Sequence, residues 1–375
     1  MPSTLPLAGL RILSLAEQLP GPFATLLLAD LGADVILVER PAGGDPSRRF
    51  AGLFASLNRN KRSVALDLKS PEGREQFLRL VDGADAVLEG FRPGVMQRLG
   101  LDADSLRQRK PSLVVLSISS FGQTGPYAHM AGHDLSIQAA AGMLDVPLGA
   151  EANAAMPVLP LADIAAGMYA AFGVVTALLA RERSGRGSAI DVSMFDAMVS
   201  WMAPFLVPPA LGLPVRPLPP EDPGYGVFAT ADGRQITLSI AGEDHMWRAL
   251  CDWLGLPALA GLDEAQRCAR CAELQPPLRA AIARYDHDAL CAALAERKIA
   301  FGPVIARGAV LADPHVRARR LAVGLDGGAG PYVRQPLIFD GQIGRITRAA
   351  PQLGEHNAEL LGGEPALHAA CAAAP

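Results

Sequence analysis

The sequence has few cysteines and no strong imbalance of charge. Its 375 residues include five cysteines, an odd number spread between Cys251 and Cys371, which does not resemble the disulfide framework of a secreted chain. Charged residues make up 19% and leave a formal net charge of -4. Nothing global therefore points to nucleic acid or an anionic membrane surface as a partner, and any anionic ligand must be bound by local basic residues.

Metal-binding and secretion signals are also missing. Cys268 and Cys271 form a CARC pair, but a structural zinc site needs about four ligands and no second CxxC or HxxxH follows. We expect ordinary helix cysteines and no metal. The first residues, MPSTLPLAGLRILSLAEQLPG, lack a basic segment followed by a long apolar run and a cleavage site, so we expect a cytoplasmic protein.

One long apolar segment raises the question of a membrane span. It is PVLPLADIAAGMYAAFGVVTALLA, residues 157–180, and it contains Asp163 and many alanines and glycines before the charged run RERSGRG. This composition favours a buried central helix over a membrane helix.

The first part of the chain alternates strand and helix patterns. Apolar runs are separated by helical stretches or turns, in the order RILSLA, FATLLLADLGA, VILVER, SVALDL, SPEGREQFLRLVDG, ADAVLEG and SLVVLSIS. Pro71 at the first position after Ser70 marks a helix start. With 50% hydrophobic residues the chain can bury a large core, and the alternation predicts an α/β fold with a parallel sheet.

Composition changes mark two domains. Residues 206–224, LVPPALGLPVRPLPPEDPG, are dense in Pro and Gly and predict a linker. The segment after them, YGVFATADGRQITLSI, predicts a hairpin with its turn at Asp232 and Gly233. We expect a large domain from residues 1–205 and 325–375 and a smaller α+β domain over 225–324.

Two features of the large domain raise the question of a nucleotide-binding site. Gly21 lies in the turn QLPGP after the first strand and Glu39 ends the second strand, but the GxGxxG fingerprint is absent, which argues against a dinucleotide dehydrogenase. Basic residues near strand ends suit phosphate contacts or are simply solvated. They are Arg40, Lys61, Arg62, Lys69, Arg92 and Arg98.

Asp163 and His133 are the candidate chemical groups. Asp163 at the start of the long helix is either an N-cap or an ionised nucleophile or base favoured by the helix N-terminus. His133 directly precedes Asp134, and neighbours on a helix point about 100 degrees apart, so the two cannot form a simple relay. His133 gains interest only if another segment supplies a carboxylate, for which Glu243 in AGEDHMW is a candidate.

Several ordered motifs span nearly the whole chain: LAGLRILSLAEQLPGPFATLLLADLGADVILVERPAGGDPSR, LNRNKRSVALDLKSPEG, GFRPGVMQRLG, SISSFGQTGPY, GHDLSIQAAAG, LADIAAGMYAAFGVVTALLARERSGRG and APQLGEHNAELL. Together they resemble the class III coenzyme A transferases, a group that includes formyl-CoA and carnitine CoA-transferases and the α-methylacyl-CoA racemases.

The resemblance implies a Rossmann-like large domain made from both termini, a small central domain and an interlocked homodimer. It also implies CoA contacts at Arg40, Leu66, Lys69, Phe91, Arg92, Arg98 and Leu99. No cofactor beyond the CoA thioester substrate is implied, and the second substrate is a carboxylic acid.

The resemblance further implies two alternative chemistries. In the transferases an aspartate at the position of Asp163 forms a thioester with CoA. In the racemases the same aspartate and a histidine at His133, supported by Glu243, exchange an α-proton. The continuation LSIQAAAG, with Gln138, and the loop PEDPGYGVF favour a transferase. A non-catalytic CoA-binding protein is the third alternative, although it would not need an acid at a helix start.

Overall fold

The computed structural model describes residues 5–145, 159–215, 221–325 and 330–362. The chain separates into two compact units. One contains the described residues up to Ala203 and from His315 onwards, and the other contains those between Pro204 and Pro314.

A six-stranded parallel sheet forms the centre of the first unit. Its strands are β1 (Arg11–Leu15), β2 (Asp34–Glu39), β3 (Lys61–Ala65), β4 (Ala86–Glu89), β5 (Val114–Ser119) and β6 (Ala189–Ser193). Their order across the sheet is β3-β2-β1-β4-β5-β6, and every neighbouring pair is parallel. This is the order of a doubly wound sheet, and the predicted α/β class is confirmed.

Alternating side chains of each strand enter two different hydrophobic cores. In β1, Ile12 belongs to one buried cluster and Leu13 to the other, and both are fully buried. Successive side chains of a strand point to opposite faces of the sheet. Both faces are therefore covered, which explains why the strands consist of almost unbroken apolar runs.

Eight helices of the first unit precede the second unit in the described chain. They are α1 (Pro20–Asp30), α2 (Ala51–Asn58), α3 (Pro71–Asp82), α4 (Val95–Leu99), α5 (Ala103–Arg109), α6 (Asp134–Ala140), α7 (Leu161–Ser184) and α8 (Met194–Trp201). The predicted start of α3 is confirmed, because Ser70 Oγ accepts the N–H of Gly73 at 2.9 Å and Pro71 opens the helix.

Residues 161–180 of the long apolar segment belong to helix α7, which by length and composition alone could cross a membrane. Core helices of soluble proteins have the same properties, and nine residues of α7 are buried within the unit. Gly167 allows α7 to approach α1 closely, since a Cβ there would lie 2.7 Å from the carbonyl oxygen of Pro20. This contact places the first turns of α7 beside the start of α1.

The second unit combines a small antiparallel sheet with helices. Its elements are α9 (Ala203–Ala210), β7 (Tyr225–Ala229), β8 (Gln235–Ser239), α10 (Asp244–Leu254), α11 (Pro257–Ala260), α12 (Glu264–Ala269), α13 (Cys271–Ile282), α14 (His287–Glu296) and β9 (Phe301–Pro303). The predicted hairpin is confirmed by the antiparallel pairing of β7 with β8, and Gly233 in its turn has φ of 78°.

Residues 206–210 of the predicted linker belong to helix α9. Pro204 lies in the first turn, where its missing N–H breaks no helical hydrogen bond. Pro208 and Pro209 lie near the end of the helix. The cysteines of the CARC pair lie in α12 and α13 as free thiols.

The chain then returns to the first unit. The remaining elements are α15 (Pro314–Ala318), β10 (Ala322–Val323), β11 (Tyr332–Val333), β12 (Ile338–Phe339), β13 (Gln342–Ile343) and α16 (Asn357–Leu361). This segment attaches to β3: Ser63 O accepts the N–H of His356 at 2.9 Å, and Asn357 Oδ1 accepts the N–H of Ala65 at 2.8 Å. The large unit is therefore built from both ends of the described chain.

Candidate active site

A cavity of about 420 Å³ opens at the carboxyl edge of the parallel sheet. Its walls come from the loops that follow β1, β4 and β5 and from the starts of α1 and α8. The strand order reverses between β1 and β4, and doubly wound sheets bind ligands in the crevice at that point. Every residue that lines the cavity belongs to the first unit.

Charged and polar side chains share this cavity with aromatic and small residues. Among its lining residues are Glu17, Gln18, Gly21, Arg49, Phe50, Leu53, Phe91, Arg92, Met130, His133 and Asp163. The structure therefore brings His133 and Asp163 into one site, as expected from the sequence. It adds Glu17, Arg49 and Phe50, which sequence reasoning missed.

Asp163 is the third residue of α7 and not its N-cap, which is Pro160. The start of the helix is capped from another segment by Asp134. Asp134 Oδ1 accepts the N–H of Ala162 at 2.7 Å and the N–H of Asp163 at 3.2 Å, while Asp134 Oδ2 accepts from Gln138 Nε2 at 2.6 Å. The N-cap alternative for Asp163 is therefore wrong, because Asp134 already satisfies the amides at this helix start.

The carboxylate of Asp163 has no hydrogen-bond partner among the residues that the structure describes. It is half-buried, and burial together with the negative charge of Asp134 raises its pKa to about 6. The helix N-terminus was expected to favour the anion, but its amides are engaged by Asp134. A carboxyl with a pKa of about 6 is mainly ionised at pH 7.

The side chains of His133 and Asp134 lie in different places. His133 is exposed, immediately precedes α6 and lines the cavity, whereas Asp134 is turned to the start of α7. The backbone of His133 is fixed by Ser136, whose Oγ accepts its N–H at 3.1 Å.

Glu243 lies in the second unit, immediately before α10. Its Oε2 accepts the N–H of Ala241 at 2.8 Å, and this hydrogen bond lowers the pKa of the Glu243 carboxyl. The predicted support of His133 by Glu243 stays a prediction.

The residues predicted to contact CoA lie beyond the carboxyl ends of β2, β3 and β4. Phe91 and Arg92 line the cavity. Lys69, Arg92 and Arg98 are exposed, and none of them has an ion pair or side-chain hydrogen bond within the described ranges. Arg40 is exposed and donates to the carbonyl oxygen of Gly44 at 2.9 Å. These four cations remain available to an anionic ligand at this edge of the sheet.

The apolar members of the predicted CoA site serve the core as well. Leu66 is buried in the cluster against which Phe91 and Leu99 pack. Leu66 as a whole is only 3% exposed, so little of its surface is open to a ligand.

Two members of the predicted basic cluster are structural, and their assignment to a phosphate site is wrong. Lys61 is fully buried and donates to Pro22 O, Thr25 Oγ1 and Asn58 Oδ1 at 2.8 to 2.9 Å. Burial holds its pKa well below the usual value. Arg62 is paired with Asp34 and Glu359. Both side chains are committed inside the protein, which a pattern of charges in sequence does not reveal.

The carboxylate of Glu39 is likewise bonded to groups of the protein. Its carboxylate is paired with Arg48 at 2.7 Å, and it accepts from Ser63 Oγ at 2.6 Å and from the N–H of Asp45 at 3.0 Å. These hydrogen bonds lower the pKa of Glu39 against the opposing effect of its burial. This finding agrees with the argument against a dinucleotide site.

Comparison with known proteins gives one consistent result. The family described as CoA-transferase family III matches residues 7–357. The chain is 35% identical to a succinate–glutarate CoA-transferase of Agrobacterium fabrum, over 95% of both proteins. It is 33% identical to an acetyl-CoA:oxalate CoA-transferase of Acetobacter aceti, again over 95% of both.

Solved structures show the same similarity. A CaiB/BaiF family protein from Brucella suis is 33% identical, with a TM-score of 0.85, and the match covers 96% of this chain and 99% of that one. A hypothetical protein from Mycobacterium tuberculosis is 32% identical with a TM-score of 0.85, covering 95% of this chain and 98% of that one. The similarity thus extends over nearly the whole chain.

Proposed function

The chain belongs to CoA-transferase family III, and from this premise we propose that it moves CoA from an acyl-CoA to a carboxylic acid through a thioester formed on Asp163. The transferase class expected from the motifs is confirmed by the relatives. The observation that supports the role of Asp163 is its half-buried carboxylate, which lines the cavity without a hydrogen-bond partner in the described residues.

The proposed reaction begins when an Asp163 oxygen attacks the thioester carbonyl of the donor. The CoA thiolate leaves, and a mixed anhydride joins the acyl group to Asp163. The thiolate then attacks the Asp163 carbonyl carbon, which releases the donor acid as a carboxylate and leaves CoA bound to Asp163 as a thioester.

The acceptor acid reverses these steps. Its carboxylate attacks the aspartyl thioester and displaces the CoA thiolate, and this thiolate attacks the acyl carbon of the new anhydride. The new acyl-CoA leaves and the Asp163 carboxylate is regenerated. No proton or electron is consumed, so the proposal requires no redox group or metal.

The contacts of Asp134 support this role for Asp163. Ala162 and Asp163 donate their amides to Asp134, which fixes the first turn of α7 and the position of Asp163 in it. A nucleophile held in this way reacts without first paying the entropy of being ordered.

CoA is proposed to extend from the cavity along the edge of the sheet. Phe91 and Arg92 would contact it at the cavity, and Arg40, Lys69 and Arg98 would contact its phosphates. Leu66 and Leu99 would border the same path. A cytoplasmic location remains a prediction from the composition.

We further propose that two copies of the chain associate. Four apolar side chains of α7 form one exposed stripe: Met168, Phe172, Val175 and Leu179. Phe172 is 69% exposed. A stripe with this spacing on a helix is typical of a buried contact. Phe172→Glu should convert a dimer to a monomer in light scattering, whereas an unchanged mass would contradict the proposal.

The function is tested by incubating the enzyme with a 2-methylacyl-CoA, succinyl-CoA and a panel of acids in heavy water, followed by mass spectrometry. If the proposal is correct, new CoA thioesters form without deuterium at the α-carbon.

Asp163→Asn should abolish these thioesters while retaining CoA binding. The control Asp82→Asn, in an exposed pair with Arg109, should still form them. Deuterium uptake without new thioesters would instead indicate the racemase alternative, with His133 sharing the chemistry.

A further inference from the structure

Two adjacent arginines near the cavity have opposite environments. Arg48 donates from Nε and Nη2 to Glu39 at 2.8 and 2.7 Å and from Nη1 to Pro351 O at 3.0 Å. Its guanidinium also lies 4.0 Å from the centroid of the Phe54 ring. Arg48 is therefore fully engaged within the protein.

Arg49 is exposed, lines the cavity and makes no hydrogen bond or ion pair with any residue that the structure describes. Its guanidinium carbon lies 4.9 Å from the centroid of the Phe50 ring, which lines the same cavity. A ring contact of this kind orients the guanidinium and leaves its N–H groups free for a ligand.

The turn that carries Arg49 is fixed to the rest of the cavity wall. Asp45 Oδ1 accepts the N–H of Ser47 at 2.7 Å and caps the short 3-10 turn Pro46–Arg49. The Asp45 carboxylate also accepts the N–H of Gln18 at 3.1 Å, and Gln18 lies in the loop after β1. The backbone at Arg49 is thus held in place before a ligand arrives.

The chemistry of the cavity indicates which anion Arg49 takes. Under the proposed function the phosphates of CoA meet Arg40, Lys69 and Arg98, none of which lines the cavity. The pantetheine arm separates these phosphates from the sulfur. Near Asp163 the ligand therefore presents only the thioester end of CoA and the acyl group. The sulfur is charged only as the transient thiolate of the reaction, so only the acyl group can carry a lasting negative charge there.

We propose that Arg49 binds the second carboxylate of a dicarboxylic acid whose first carboxylate exchanges CoA at Asp163. This inference rests on the proposed function and adds a substrate class to it. A guanidinium matches a carboxylate with two parallel N–H···O bonds. The acid is thereby held with one end at the cation and the other at the nucleophile.

The test is a competition between two acids for CoA from one donor, succinyl-CoA. Glutarate and pentanoate have five carbons each and differ in the second carboxylate. In a mixture of both, the ratio of glutaryl-CoA to pentanoyl-CoA formed initially reports the ratio of their kcat/KM values, and effects on the donor cancel.

The wild-type enzyme should favour glutaryl-CoA, and Arg49→Gln should lower the product ratio roughly 10- to 100-fold. Arg49→Lys should fall between the two. Arg79→Gln, on the outer side of α3 with 58% of its side chain exposed, should leave the ratio unchanged. An unchanged ratio in Arg49→Gln, or no preference for glutarate in the wild type, would overturn this inference alone. No new thioester from any acid would overturn the proposed function, and this inference with it.

Discussion

Asp134 Oδ1 accepts the backbone N–H of Asp163 across 3.2 Å, so the residue that fixes the reactive helix start also places a negative charge beside the proposed nucleophile. The same contact has two consequences. It orders the first turn of α7, and it contributes to the raised pKa of Asp163. The histidine next to Asp134 in sequence contributes to the cavity instead.

The rate of CoA transfer should depend on pH through Asp163. The carboxylate attacks only when ionised, and its pKa is about 6, so activity should fall as the pH drops through this value. Asp134→Asn retains an acceptor oxygen and removes the charge. Its acid limb should therefore move to lower pH in a kcat/KM profile, and a limb that stays in place would show that Asp134 does not act through its charge.

Asp163 should also destabilise the folded protein at neutral pH. Its folded-state pKa, about 6, lies above the ordinary value of 3.8, so the stability present below the ordinary value is lost as the pH rises through about 6. Asp163→Asn should raise the free energy of unfolding by up to about 3 kcal/mol at pH 8 and much less at pH 4. Denaturant titrations at both values measure this, and an equal gain at both would contradict it.

Lysines 61 and 69 should respond differently to substitution, although they lie in one short segment. Lys69→Ala should raise the KM for the acyl-CoA roughly tenfold without changing Tm. Lys61→Ala should lower the free energy of unfolding by about 3 kcal/mol, because three buried acceptors lose their donor. Kinetics and thermal unfolding of both variants separate the roles, and a destabilised Lys69→Ala would refute the assignment.

The second unit should depend on one buried ion pair. Arg267 and Asp222 are both fully buried, 2.9 Å apart. Asp222→Ala should lower the free energy of unfolding by about 3 kcal/mol, because the buried Arg267 guanidinium loses its fully buried partner and keeps only the half-exposed Asp244, at 2.6 Å. Glu273→Ala, in the exposed pair with Arg270, should cost less than about 1 kcal/mol. If both variants lost the same free energy of unfolding in denaturant titrations, burial would not determine how much an ion pair contributes to stability.

Much of the first unit was predictable because its strands are apolar runs separated by helix patterns with recognisable starts. The start of α3 at Ser70 and Pro71 is an example. Helix α9 was not predicted, since the Pro-rich segment 206–210 argues against a helix by local propensity alone. Propensity is a weak guide where prolines lie in a first turn or near a helix end.

The sequence motifs predicted that Asp163 and His133 lie together, and the structure places both in one cavity. The contacts made by the neighbouring charged residues were not predictable, because those contacts join segments that are distant in sequence. Asp134 reaches a helix start 28 residues later, and Lys61 and Arg62 turn inward to meet partners that no local pattern specifies. A charge in sequence does not show whether its partner is a ligand or the protein itself.

Arg48 is bonded within the protein, whereas Arg49 lines the cavity. Substitutions at position 49 can therefore change the selectivity for acids without changing the stability of the fold. The loop is held by Arg48, Glu39 and Asp45, so the side chain at position 49 is free to change without loosening it. A library restricted to this single codon would therefore be a short route to enzymes that accept other acids, starting from an intact scaffold.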